Sequence, residues 1–187
     1  MKKIFLFITT LSLLSVTSCS NDDGGKNPSD EGNNPNVYTK YDNKTQTPNN
    51  CVLVLWGVYD EGLFWSLIPF IGENEEDIET SSSYVDYEFL TDGVPASNNC
   101  IFNNVFSLTV DGAVIDITSV SDGSIKVTDV DEESITFEAS ATVNGKSLAT
   151  KYSGRVLHYD LSEETRPSNE ILTKEERKQI ISELLAK

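Results

Sequence analysis

The sequence predicts an all-β fold: an antiparallel meander forming a small barrel or sandwich, followed by one C-terminal amphipathic helix. Three observations predict it. Apolar and polar residues alternate with period two over much of the chain from Cys51 to Tyr159, as strands with one buried and one wet face do in antiparallel sheets. Asp111-Gly112, Asp122-Gly123 and Asn144-Gly145 punctuate those runs, and such pairs tolerate the positive φ of tight hairpin turns. Only the last stretch, around residues 171–187, changes to helical spacing.

In chain order, the first element is a targeting segment. Lys2 and Lys3 precede an apolar run over residues 4–14. At about 1.5 Å per residue that run is too short for a bilayer core of about 30 Å, so it reads as a secretory leader. Val16-Thr17-Ser18-Cys19 comes next: an aliphatic residue, a small one, a serine and a cysteine. These four positions match the bacterial lipobox, and the chain here resembles a Gram-negative envelope lipoprotein precursor. The resemblance implies a signal peptide over residues 1–18, cleavage before Cys19 and a diacylglycerol thioether on the Cys19 sulfur. Each buried CH₂ of an acyl chain contributes about 0.8 kcal/mol, so two or three chains hold a protein on a membrane stably. Asp22-Asp23 resembles the export signal of surface-exposed lipoproteins. The expected location is the cell envelope, lipid-anchored at the outer membrane, with the acidic pair favouring its outer surface.

Residues 20–36 consist of polar residues, Gly and Pro. They bury no apolar surface and read as a flexible tether, assigned with the lipidated Cys19 to residues 19–50. Loss of Lys2 and Lys3 with the leader takes the formal net charge from −16 to −18. Such a surface repels phosphate backbones and excludes nucleic acid as a partner. With Cys19 lipidated, Cys51 and Cys100 remain. An even number in an oxidising compartment predicts a disulfide between them.

The folded domain is assigned to residues 51–160, with strands near 51–59, 63–71, 84–90, 101–110, 113–119, 124–130, 134–143 and 147–159. Strand 51–59 reads "CVLVLWGVY", apolar in both phases, which predicts a central strand covered on both sides with Trp56 in the core. In 84–90, Val85, Tyr87 and Phe89 alternate with the wet-face residues Asp86 and Glu88. In 101–110, Phe106, Leu108 and Val110 share the apolar phase. The alternation from Ser134 to Val143 has no fault. The stretches "DGAVIDI", "DGSIKV", "ITFEASATVNGK" and "YSGRV" are similar to the C-terminal meander of all-β lipoprotein domains from surface-dwelling Gram-negative bacteria. That resemblance implies a fold and no activity.

Residues 161–187 read as a linker and a helix. Thr173 and Glu176 make a capping box, and Ile180, Ile181, Leu184 and Leu185 form a stripe at helical spacing. A helix this short is marginal alone in water. The sheet of the same chain or a partner protein must cover its stripe.

Chemistry has few footholds. His158 is the one histidine, and in phase with Leu148, Tyr152 and Val156 it is expected to point into the core. One histidine and two committed cysteines exclude the usual zinc sites. No nucleophile elbow, metalloprotease helix, P-loop or dinucleotide fingerprint occurs. No catalytic residue, metal or cofactor is expected. The acidic runs over residues 73–79 and 129–133 offer oxygens of the kind calcium takes. Ser134 stands where an EF-hand loop requires glycine, and both runs read as solvated turns.

Trp56, Tyr59, Phe64, Trp65, Phe70, Tyr84, Tyr87 and Phe89 lie within 34 residues. Rings at this density fill a core, floor a ligand cavity or stack on sugars. Phe64 and Trp65 are neighbours, so their rings point to opposite faces of a strand. The predicted binding residues are Tyr59, Phe64, Trp65 and Tyr84. The leading reading is a lipid-anchored, non-catalytic module binding a glycan, a small apolar ligand or an envelope protein. The alternative is a structural or assembly component of the envelope that docks through its helix. A surface hydrolase stands third and requires two carboxylates facing each other across a cleft. Exposed Trp56 and Trp65 favour ligand binding; buried ones favour scaffolding.

Overall fold

The computed structural model describes residues 37–72, 78 and 80–162. The expected signal peptide, Cys19, the tether through residue 36, the acidic run 73–79 apart from Ile78, and the expected linker and helix from residue 163 onward lie outside the described residues. Ten strands occur among the described residues: β1 (Tyr38–Tyr41), β2 (Lys44–Gln46), β3 (Asn50–Tyr59), β4 (Gly62–Phe70), β5 (Tyr84–Thr91), β6 (Ile101–Val110), β7 (Ala113–Val114), β8 (Val120–Val130), β9 (Ser134–Val143) and β10 (Lys146–Asp160). No α-helix occurs among them.

One strand joins everything. β10 is 15 residues long, far beyond the usual five or six. Its Lys146–Arg155 part runs antiparallel to β9, which in turn pairs with β8. On its other edge, residues 148–151 pair with β1. Past Arg155 it outruns β9, and Val156–Asp160 pair in parallel with Cys51–Leu55 of β3. From β3 the chain continues through antiparallel neighbours β4, β5, β6 and β7. The sheet is therefore mixed and open, and the expected all-antiparallel meander needs that correction. The parallel pair arises because β3 and β10 are joined by a long crossover, not a hairpin.

The segment 37–50, assigned to the tether, also needs correction. Val37, Thr39 and Tyr41 are buried, and the β1–β2 hairpin extends the sheet. Three alternating buried positions are too short a signal to stand out beside a polar tract.

The two halves share one core. Leu67, Tyr87 and Phe89 from β4 and β5 pack in one cluster with Phe137, Leu148 and Tyr152 from β9 and β10. A buried hydroxyl chain crosses between them: Tyr87 Oη lies 2.8 Å from Thr150 Oγ1, which lies 3.0 Å from Thr39 Oγ1. Farther along, the Phe102 ring of β6 rests on Gly123 of β8, where a Cβ would come within 1.9 Å of it. Asp122-Gly123 is thus a bulge inside β8 and not the expected hairpin turn. It lies where the β8–β9 register shifts between Ser121 and Ser124. The other two pairs make the expected turns, with positive φ at Asp111, Gly112, Asn144 and Gly145.

Of the strand expected over 113–119, only Ala113 and Val114 pair. Asn144 holds the rest as a loop. Its Oδ1 accepts from the Thr118 and Ser119 amides at 2.8 and 3.1 Å, and its Nδ2 donates to the Asp116 carbonyl at 2.7 Å.

Cys51 and Cys100 are free thiols, not the expected disulfide. Cys51 begins the β3 side that registers, through Pro69 and Tyr84, with the end of β6 near Thr109. Cys100 precedes the other end of β6, about 30 Å away along a strand of this length, whereas a disulfide needs Cα atoms within about 7 Å. Burial pushes both thiols up, against weaker backbone hydrogen bonds. His158 keeps the predicted phase but is exposed, because β10 has there passed beyond the core. Its Nε2 lies 2.8 Å from the Asp131 carbonyl oxygen.

Burial is the main cause that raises the Tyr87 phenol above its usual range, with the Thr150 bond opposing. A phenol raised in the folded state favours the fold below its unfolded value of about 10, and that stabilisation is lost as pH rises beyond it. Tyr87→Phe is expected to cost about 1–2 kcal/mol at neutral pH and to flatten the fall in stability above pH 10. Denaturant titrations at several pH values check this; an unchanged alkaline profile contradicts it.

Candidate functional site

Three β-bulges shape the outer face of β3–β6, the face turned away from the shared core. In β3 the extra residue is Trp56, between Leu55 and Gly57. In β6 they are Asn103 and Phe106, each without an opposite residue on β5. A bulge inserts one residue, bends the strand and re-aims the side chains around it. Phe106 consequently leaves the phase of Leu108 and Val110 that sequence alternation assigns to it. It lines a half-open cavity of about 370 Å³ together with Tyr59, Glu61, Phe64, Glu88, Leu90, Asn103 and Asn104.

The cavity has an aromatic side and a polar side. Tyr59 and Phe64 meet edge to face, with ring centroids 5.8 Å apart and planes at 90°, a favourable aromatic geometry. The turn Asp60-Glu61 brings them together, since Tyr59 pairs directly with Gly62. Gly62 has φ 133°, and a Cβ there would lie 2.4 Å from the Thr91 carbonyl oxygen, so this corner admits glycine alone. On the polar side, Asn103 Nδ2 donates to Glu88 Oε2 at 3.3 Å. Glu88 and its neighbour Asp86 are each 3% exposed, which corrects their wet-face assignment: their face of the sheet is covered. Neither is without a partner. Glu61 by contrast is exposed at the rim.

Of the four predicted binding residues, Tyr59 and Phe64 line the cavity, and Trp65 and Tyr84 do not. Trp65 takes the opposite face from Phe64, as adjacency requires. There it packs against the shared core, and its Nε1–H donates to Thr91 Oγ1 at 2.9 Å. Tyr84 pairs with Phe70 at the far end of β4 and packs on the outer-face cluster. Trp56 is buried as predicted, its Nε1–H donating to Ser66 Oγ at 2.8 Å. Trp56 is thus a core residue, and Trp65 is half-buried on the face away from the cavity. Sequence reasoning missed Asn103, Asn104, Phe106, Glu61, Glu88 and Leu90. The signal for three of them was the Asn103-Asn104 pair in "IFNNVF", a break in alternation inside a strand.

Such an arrangement can stack a ring against Tyr59, Phe64 or Phe106 and offer carboxamide and carboxylate groups to hydroxyls or amines. Its volume is at the lower end of the range for small-molecule pockets, about 300–1,000 Å³. No cluster of His, Cys, Asp or Glu suited to a metal ion occurs among the described residues. In the second acidic run, Asp131 spends its oxygens on its own turn, accepting from the Glu133 and Ser134 amides at 2.8 and 2.7 Å and from Ser134 Oγ at 2.9 Å. These bonds, the Glu133 amide first, hold its carboxyl below the usual range.

The placement of Trp65 sets an expected outcome. Trp65→Ala should destabilise the fold by about 3 kcal/mol, as core aromatics do, whereas Phe106→Ala should cost well under half as much. Equal costs, or a larger one at Phe106, measured by denaturant unfolding, contradict the two assignments.

No family model matches this chain, and no curated protein or solved structure matches it either.

Proposed function

We propose that this chain is an envelope lipoprotein, anchored through Cys19, whose all-β domain is a non-catalytic module binding a glycan in the cavity beside Tyr59, Phe64 and Phe106. One observation carries the ligand class: the same 370 Å³ space is walled by three aromatic rings and edged by two asparagines and two glutamates. Sugars present apolar ring faces and a rim of hydroxyls, and this lining answers both. A purely apolar ligand would cover the exposed Asn103 and Glu61 at the edge without offering them hydrogen bonds. The lipobox supports the anchor, and the open sandwich-like packing of the two halves supplies a rigid base for the site.

A second reading is favoured by one specific observation. Glu61, exposed, and Glu88, buried, line the same cavity, and two carboxylates in unlike environments are what glycoside hydrolysis uses. Against it, the Asn103 amide already occupies Oε2 of Glu88.

A glycan array followed by titration calorimetry tests both. The binding reading expects saturable binding of at least one oligosaccharide, weakened tenfold or more by Tyr59→Ala and by Phe106→Ala, with the sugar recovered intact. Binding that neither substitution changes, or none at all, contradicts it. Release of new reducing ends, abolished by Glu88→Gln, would transfer the assignment to the hydrolase.

A further inference from the structure

The half of the sheet that carries the cavity is acidic and has no basic residue of its own. From Thr45 to Ile125 the sequence contains no Lys, Arg or His, and that stretch holds the whole of β3 to β7. Acids are spread through it, from Asp60 to Asp122. Past it, Lys126, Lys146, Lys151 and Arg155 sit on β8 and β10, in the other half. This asymmetry sets the sign of the potential around the cavity. A cleft lined by one sign of charge focuses the field and raises the local concentration of ligands of the opposite sign.

The rim supplies a group for such a ligand. Glu61 lines the cavity and is exposed, and Asp60 beside it is exposed as well. The ion pairs among the described residues are Lys44–Asp111, Lys146–Asp42 and Lys151–Glu138; Glu61 belongs to none of them. It stands in the turn between Tyr59 and Gly62, which pair directly, and the close approach of Gly62 to the Thr91 carbonyl holds that corner. Glu61 therefore keeps its place beside the Tyr59 and Phe64 rings. Aromatic faces carry negative potential and attract an ammonium group as a carboxylate does. Ring wall and rim thus favour the same sign of ligand. Glu88 already accepts a hydrogen bond from Asn103 Nδ2, so the exposed Glu61 is the partner for a ligand charge.

Resting on the glycan reading, we infer that the sugar bound beside Tyr59, Phe64 and Phe106 is an amino sugar with a free amine, its ammonium paired with Glu61 and its apolar ring face on the aromatic wall. The acidic half of the sheet draws such sugars in, and the cavity selects them by shape. Neutral sugars use the same wall without the charge pair and bind more weakly. Sugars that carry carboxylates or sulfates meet like charge at the rim.

The test titrates the full chain with a glucosamine trisaccharide and with the same trisaccharide N-acetylated, at low and at high salt. The amine form should bind about tenfold more tightly, and that advantage should shrink as salt rises. Glu61→Gln should remove the advantage and leave affinity for the N-acetylated form unchanged. Equal affinity for the two forms, or preference for the N-acetylated one, overturns the inference and leaves the glycan reading standing. Binding of neither also overturns it, and the glycan reading falls with it only if no oligosaccharide binds. Tetralysine, a cation without a sugar ring, reads out attraction to the acidic surface alone. If it binds as tightly as the amino sugar, or if Tyr59→Ala leaves amino-sugar binding intact, the inference is overturned as well.

Discussion

The architecture depends on a single strand that belongs to two pairings at once. Lys146–Arg155 of β10 close an antiparallel unit with β9 and β1, and Val156–Asp160 join β3 in parallel. Among the described residues, the β10–β3 pairing is the strand pairing that joins β3 to β7 with β8 and β9. Parallel partners require a crossover, and here the crossover is nearly the whole domain. The halves are then held face to face by contacts that only their stacking allows. These are the Tyr87–Thr150–Thr39 hydroxyl chain and the Phe102 ring on Gly123. Even the outer edges meet through side chains, since Lys44 of β2 pairs with Asp111 at the β6–β7 turn at 2.9 Å. That last contact is exposed and adds little.

The candidate site arises from the same layout. With the inner face of β3–β6 committed to the shared core, the cavity lies on the outer face. There the bulges at Asn103 and Phe106 turn side chains of β6 toward Phe64 and Glu88. Bulges disrupt the ladder locally; this one strand carries two, and both extra residues line the cavity. The rings of Tyr59 and Phe64 are held by their mutual contact and by the Gly62 corner, so this wall of the cavity is preformed.

Much of the fold was legible because alternation and turn residues are local signals. Strands β3, β4, β5, β6, β9 and β10 fall where period two placed them, and the positive φ at Asp111 and Asn144 is what those turns require. Non-local pairing was illegible. Nothing in "YSGRVLHYD" announces that its second half takes a parallel partner, and nothing in "VYTKY" distinguishes a short strand from the tract before it. The Cys51–Cys100 pairing failed for the same reason: parity counts cysteines, while distance depends on register. The site was half legible. Adjacency showed that Phe64 and Trp65 must part, and chose no side. The hydrophobic phase misassigned Phe106, Asp86 and Glu88, because a bulge shifts phase and a covered outer face buries residues that alternation reads as wet.

The central claim is that β10 makes one cooperative unit of the two halves. Native-state hydrogen exchange reads this residue by residue. Protected amides in residues 51–55 and 156–160 are expected to open with the same free energy as those in residues 137–143, at the global unfolding value. Opening of residues 51–55 and 156–160 at a free energy lower by about 2 kcal/mol or more, with β8–β10 still protected, would contradict it.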